Sequence, residues 1–528
     1  MRKSLIAGIF AVAMLAIAPF ALSQIQNAKS AGGQLQGVVT DGVASFKGIP
    51  FAAPPVGHLR WKAPEPAKAW TGTRRADSYA PGCFQDPGMS KMMGSSAHVS
   101  EDCLYLNVWT AAETAREKRP VMVWIHGGAF VGGMTGTPMF DGTKFAQKGV
   151  VLVSIAYRLG VFGFLAHPEL SRESGKGSGT YGIQDMIAGL QWVKNNIAQF
   201  GGDPSCVTIF GESAGGIAVG MLSAAPGAKG LFQRAISESG GSFAPPRIAN
   251  EAGQNVPTLK LAESHGESFL KKLGAADLKA ARALPAEQIQ KAAGGGMGGG
   301  GSFWPVADGN ILPGDPYELY EKGRFNDTPI LIGTNSNEGG LFLRGPTTAA
   351  SFEKQIRSGY GERADVILSA YPHATDAEAV RASADVFRES AFAWPTWAWA
   401  RMQSQKGKGK AFVYYFDHRT PASPDGANHG AEVSYVFGNF GGLNGGAPSP
   451  EDLALSDLIR SYWINFARTG DPNVSGLPQW PAFTEKDQKV MFFDTGAGAK
   501  PIPNLEKLKA FEAYYSWRRE LAKKIGGQ

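Results

Sequence analysis

Apolar residues fall along the chain in two alternating modes. Short continuous runs such as Pro120-Val121-Met122-Val123-Trp124-Ile125 and Gly149-Val150-Val151-Leu152-Val153-Ser154-Ile155 have the length of strands and no polar face. Strands of that kind belong to sheets covered on both sides. Between two such runs, Gln184-Asp185-Met186-Ile187-Ala188-Gly189-Leu190-Gln191-Trp192-Val193 brings its apolar residues round at helical spacing. Further strand-length runs are Val207-Thr208-Ile209-Phe210, Thr328-Pro329-Ile330-Leu331-Ile332 and Ala411-Phe412-Val413-Tyr414-Tyr415-Phe416. This order predicts an α/β architecture with a mostly parallel sheet and helices on both faces. Residues 253–292 read as helical and polar, and run into Gly294-Gly295-Gly296-Met297-Gly298-Gly299-Gly300-Gly301. So many glycines lose too much backbone entropy to hold a regular element, which predicts a flexible loop, either a linker or a gate over a site. No internal repeat or domain linker is visible, so residues 24–528 read as a single domain.

The N-terminus departs from this pattern. Arg2 and Lys3 precede an apolar run from Leu5 to Ala18 and the small residues of Ala21-Leu22-Ser23, the layout of a cleaved signal peptide over 1–23 that is short for a membrane span. An exported, secreted or periplasmic enzyme-sized body is expected, with no membrane insertion after cleavage. The formal charge of +6 falls to +4 without Arg2 and Lys3, a mild excess that does not point to nucleic acid. Hydrophobic residues at 43% suit a large core. Of three cysteines, Cys83 and Cys103 can close a loop in an oxidising compartment, contributing about 3 kcal/mol. Cys206 lies in Ser205-Cys206-Val207-Thr208-Ile209-Phe210 and reads as an inert core thiol of a buried strand.

Candidate chemistry sits where strands end. Val207-Thr208-Ile209-Phe210 runs straight into Gly211-Glu212-Ser213-Ala214-Gly215, a G-x-S-x-G turn followed by the small-residue helix from Gly216. In that setting the serine occupies a sharp strand-to-helix corner, with glycines where side chains would collide with backbone, and Ser213 is the candidate nucleophile. Upstream, the strand Val123-Trp124-Ile125 breaks into His126-Gly127-Gly128-Ala129-Phe130, whose N–H groups, with that of Ala214, can face a developing oxyanion. In the chain order nucleophile, acid, histidine, the histidine comes last, which selects His429, in Ala427-Asn428-His429-Gly430, or His418. The orienting acid is Glu338, on the turn after Thr328–Gly333, or its rival Asp308 in a plain Asp-Gly turn. No metal or phosphate-cradling motif appears, and no cofactor is expected.

Several whole segments then carry a resemblance. Phe46-Lys47-Gly48-Ile49-Pro50-Phe51-Ala52 with Pro54-Pro55-Val56-Gly57, Glu101-Asp102-Cys103-Leu104-Tyr105-Leu106-Asn107-Val108, Phe200-Gly201-Gly202-Asp203-Pro204 and Asn465-Phe466-Ala467-Arg468-Thr469-Gly470-Asp471-Pro472-Asn473, together with the Ser213 turn, resemble the type-B carboxylesterase and cholinesterase-like family. The resemblance implies an α/β-hydrolase fold with helical insertions over the active site, and serine carboxylesterase activity on a small-molecule ester. It implies a triad of Ser213, Glu338 and His429, an oxyanion hole from Gly128, Ala129 and Ala214, and a Cys83–Cys103 disulfide. Ala129 replaces a third glycine common in relatives, which trims the pocket but spares the backbone donor. The scarcity of other disulfides fits a bacterial-type export product. Two other readings stay open: a non-catalytic binding protein of the same family, or the same chemistry on an amide, lactone or lipid. Trp394, Trp397, Trp399, Phe303 and Trp304 read as core packing or a substrate cage. Glu212 reads as a cation-favouring charge or a brace, and Arg344 as a surface residue or a contact for an anionic acyl group.

Overall fold

The structure, a computed structural model, describes residues 24–92, 98–248, 256–294, 303–343, 346–441 and 447–526. The signal segment 1–23, the glycine run beyond Gly294, and Arg344 lie outside them.

Eleven strands among the described residues form the central sheet. In chain order they are β1 (Val38–Thr40), β2 (Val43–Pro50), β3 (Tyr105–Thr110), β4 (Arg119–Ile125), β5 (Val151–Ile155), β6 (Gly202–Glu212), β7 (Arg234–Glu238), β8 (Ile330–Asn335), β9 (Ala411–Phe416), β10 (Lys489–Phe493) and β11 (Ala497–Pro501). Across the sheet they run β11-β10-β9-β8-β7-β6-β4-β5-β3-β2-β1. The middle, from β10 to β5, is parallel, and antiparallel pairs close each edge. This is the α/β-hydrolase arrangement that the resemblance implied.

The continuous apolar runs have a simple cause. Successive side chains of a strand point to opposite faces, and both faces are buried here. Val121, Val123 and Ile125 enter one core while Met122 and Trp124 enter the other; Ile330 and Ile332 oppose Leu331 in the same way. The first core is covered by α1 (Tyr181–Asn196), α2 (Ala214–Ala224), α3 (Trp394–Lys406) and α5 (Leu505–Gly526), and the second by α4 (Pro450–Thr469). Trp124 anchors the second core, its ring 4.8–5.0 Å from those of Phe140, Phe210 and Phe437. The polar stretch read as helical forms three short helices, Leu259–Leu273, Leu278–Ala283 and Ala286–Ala293.

The tryptophans of α3, with Phe303 and Trp304, are buried in the first core. Cys83 and Cys103 form a disulfide with Cα atoms 4.9 Å apart. Cys206 departs from expectation: it is only partly buried, because it lies in the irregular stretch between Gly202 and Val207 where β6 slips register against β4, and the strand is buried only from Val207 to Gly211. Its Sγ lies 3.3 Å from Arg234 Nη1 and 3.5 Å from the Ala467 carbonyl. No helix among the described residues is long and apolar enough to cross a membrane.

Candidate active site

β6 delivers its chain to the corner at Ser213, whose backbone is left-handed (φ 56°, ψ −124°) before α2 begins at Ala214. A non-glycine residue held there costs about 1–3 kcal/mol, which the surroundings must over-determine. They do so from three directions. Ser213 N–H donates to the Glu238 carbonyl at the end of β7 (2.9 Å), and Ile217 N–H donates to the Ser213 carbonyl (2.8 Å). The end of β4 presses on both flanking glycines: a Cβ on Gly211 would stand 2.5 Å, and one on Gly215 2.0 Å, from the Ile125 carbonyl oxygen. The two glycines of the motif are thus required by a neighbouring strand.

Glu338 and His429 come from the loops after β8 and β9 and meet 2.6 Å apart, Nδ1 donating to Glu338 Oε2. The other oxygen, Oε1, is already taken by Asn335 N–H (2.7 Å) and the Ser239 hydroxyl (2.6 Å). The buried carboxylate is therefore fixed by three donors. Phe392 stacks on the imidazole at 4.5 Å and Phe342 meets it edge-on at 5.3 Å. A short π-helical turn, Glu389–Ala393, precedes α3 and carries Phe392. His429 Nε2 has no hydrogen-bond partner among the described residues and lies 3.2 Å from Glu212 Oε1, beside the serine.

Three carboxylates bear on this imidazole, the buried Glu338 and Glu432 and the partly buried Glu212, and a fourth, the buried Glu238, lies within reach of Glu212 and Glu432. Glu432 accepts from Asn335 Nδ2 (2.5 Å) and approaches the Ser239 hydroxyl at 3.3 Å; Glu238 accepts from Trp463 Nε1 (2.7 Å). Burial disfavours their charged forms. It pushes Glu212 up to about 7, against the pull of His429, and Glu432 up to about 8, helped by Glu212 and Glu338; Glu238 rises as well, through burial and then Glu432. His429 moves the other way: burial lowers its pKa, but the charges of Glu212 and Glu338 outweigh burial and hold it at about 9.

The glycine loop after β4 packs directly against the serine, for a Cβ on Gly127 would stand 3.1 Å from that of Ser213. Gly128 (φ 103°), Ala129 (φ 54°) and Phe130 (φ 58°) are all left-handed, and the N–H groups of Val131 and Gly132 fold back onto the Gly128 carbonyl at 3.0 Å. The N–H groups of Gly128 and Ala129 make no hydrogen bond to another described residue. That of Ala214 lies in the first turn of α2, where no intrahelical acceptor exists. His126, stacked on Tyr157, is held neutral by burial, its pKa lowered to about 4, and its Nδ1 donates to the Gly127 carbonyl (2.8 Å).

The two rivals fall elsewhere. His418 lies between Asp452 (2.9 Å) and the Asp494 carbonyl (2.7 Å), at the start of α4. Asp308 accepts from Thr180 and from the N–H groups of Asn310 and Leu312, bracing its own turn. Ser239, Glu432, Phe342 and Phe392 went unnoticed in the sequence. For Ser239 a signal existed, since polar residues at the carboxyl end of a central parallel strand face the usual ligand crevice. No group of His, Cys, Asp and Glu among the described residues is arranged to hold a metal.

A strained serine between strand and helix, a carboxylate-bound imidazole and a loop of free amides define a class, the serine hydrolases of this fold. The chain belongs to the carboxylesterase family, whose model matches residues 23–510. It is 37% identical over 498 residues to the fumonisin B1 esterase of Sphingopyxis macrogoltabida, covering 88% of this chain and 86% of that protein. It is 36% identical to the para-nitrobenzyl esterase of Bacillus subtilis, over 90% of this chain and 96% of the relative. A solved PNB esterase superposes with a TM-score of 0.81 at 35% identity, covering 92% of this chain and 99% of that one. The protein is accordingly an ester hydrolase of the serine carboxylesterase type.

Proposed function

We propose that Ser213 attacks the ester carbonyl, that His429 serves as general base and then general acid, and that Glu338 orients it. The observation that carries this reading is the 2.6 Å contact between Glu338 Oε2 and His429 Nδ1 beside the strained serine. In the neutral imidazole, with Nδ1 donating to a carboxylate, Nε2 is left as the acceptor the reaction needs. As Ser213 Oγ bonds to the carbonyl carbon its proton passes to Nε2, and the carbonyl oxygen takes the negative charge. The N–H groups of Gly128, Ala129 and Ala214 stabilise that oxyanion. The tetrahedral centre then collapses, the C–O bond to the alcohol breaks, and Nε2 gives its proton to the departing oxygen. Water repeats the sequence on the acyl-enzyme and releases the carboxylate. The Ser213–His429 hydrogen bond forms with substrate in place, as catalytic hydrogen bonds often tighten only in the complex.

The carboxylesterase relatives point to small carboxylic esters, and the para-nitrobenzyl esterase among them makes p-nitrobenzyl esters the first to assay. The layout of residues 1–23 and the Cys83–Cys103 disulfide support export, with a single domain from Gln24 onward. Ser213→Ala is expected to lower kcat on p-nitrophenyl acetate by roughly 10⁴–10⁶-fold with circular dichroism unchanged. A variant that keeps near-wild-type turnover removes Ser213 from the role.

A further inference from the structure

The glycine loop beside Ser213 is held from outside by a residue with no part in the chemistry. Gln85 lies two positions after Cys83 and is buried. Its side-chain amide pairs with both polar groups of one loop residue: Nε2 donates to the Gly133 carbonyl (2.9 Å) and Oε1 accepts from Gly133 N–H (3.0 Å). Nε2 also donates to the Cys83 carbonyl (3.0 Å). A single side chain thus supplies the paired bonds that a neighbouring strand would give, at a place where no strand runs.

The loop has little freedom to absorb a shift at Gly133. A Cβ there would stand 2.7 Å from the Gly127 carbonyl oxygen and 2.3 Å from His126 Nδ1, so the returning leg of the loop lies directly on its outgoing leg. Gly132 N–H is bonded to the Gly128 carbonyl. Movement of Gly133 is therefore movement of Gly127 and Gly128. On its other side Gln85 is tethered through Cys83 to Cys103, two residues before β3. A continuous path runs from the central sheet through the disulfide and Gln85 to the loop amides.

We infer that Gln85 is a positioning residue that fixes the glycine loop with its amides toward the oxyanion, and that through it the Cys83–Cys103 disulfide governs turnover as well as stability. The inference rests on the reading of Gly128 and Ala129 as oxyanion donors. Misplaced donors weaken transition-state binding more than substrate binding, so the loss appears in kcat.

Gln85→Met keeps the length of the side chain and removes its hydrogen bonds. In the oxidised full chain its kcat on p-nitrophenyl acetate is expected to fall roughly tenfold or more, with KM nearly unchanged. A matched ester and thionoester pair reads the oxyanion contact itself, because sulfur accepts hydrogen bonds poorly. The wild type should strongly prefer the oxygen ester, and Gln85→Met should lose much of that preference. If the wild type shows no preference, the oxyanion reading is wrong. If the wild type discriminates and Gln85→Met retains both kcat and the preference, this inference alone is overturned. Reduction of the folded wild type with dithiothreitol requires no variant to fold. Once free-thiol titration shows the buried Cys83 and Cys103 released with circular dichroism unchanged, kcat should fall to about the Gln85→Met level and reduction should add little to that variant; an unchanged kcat at full thiol release, or losses that simply multiply, would overturn the link to the disulfide.

Discussion

Two buried acidic regions of this molecule are built on opposite rules. Asp185 on α1 has a cation to itself: Arg158 donates to it through Nε (2.8 Å), Nη2 (2.7 Å) and its backbone N–H (3.0 Å). At the end of the central strands Glu212, Glu338 and Glu432 share one imidazole, and among the described residues no lysine or arginine forms an ion pair with them or with the neighbouring Glu238. A paired charge is a fixed charge. Burial without a cation instead raises the pKa of Glu212, Glu238 and Glu432 and favours their protonated forms, so the second region sets its own charge through pH. The proposed mechanism draws on that second kind of region because general acid–base work needs groups that exchange protons.

The sharpest way to break the comparison is to neutralise Glu338, the one acid that the proposed mechanism needs charged. In Glu338→Gln the amide oxygen takes the place of Oε1, where two donors already point, and turns the NH₂ toward His429 Nδ1. The proton is then driven to Nε2, the wrong tautomer for accepting from Ser213. A loss of roughly 10³–10⁴-fold in kcat is expected with the fold intact, and a loss below tenfold would deny Glu338 its role. Next in size comes the same acid-to-amide change made once in each region. Asp185→Asn leaves Arg158 buried without a counter-charge and should cost about 3–5 kcal/mol of unfolding free energy. Glu432→Gln replaces an acid that burial already favours as neutral, and should cost no more than about 1 kcal/mol. Equal costs in chemical denaturation would erase the distinction between the regions.

The smallest effect is a shift in a pH profile. Glu212 is the first of the charges that hold His429 above its ordinary pKa. Glu212→Gln removes it, so the imidazolium loses stabilisation and releases its proton at lower pH. The rising limb of kcat/KM against pH, which reports the neutral base, should move to lower pH by on the order of one unit. A limb that stays in place or moves upward would mean that Glu212 does not act on the base.

Elements whose signal is local could be read in the sequence. The strands of the parallel core announce themselves because both faces are buried, and the Ser213 corner because steric need and motif coincide at Gly211 and Gly215. Glu338 and His429 were legible only as candidates, since each lies on a loop and their meeting depends on β8 and β9 being neighbours. Ser239, Glu432, Phe392 and Gln85 acquire meaning from contacts with residues distant in sequence, and nothing beside them in the chain marks those contacts. Cys206 belongs to the same class, because the register slip that leaves it partly exposed is set by pairing with β4.

The left-handed backbone at Ser213 also limits which atoms evolution or an engineer can place there. A β-branched side chain at positive φ is a genuine outlier, so threonine, though it carries the same hydroxyl, is excluded by the chain itself. Cysteine is unbranched at Cβ and fits the corner as serine does. With Ser213 read as the proposed nucleophile, the choice of reactive element, oxygen or sulfur, stays open to chemistry, while the choice of side-chain shape was closed by the turn that brought the strand into the helix.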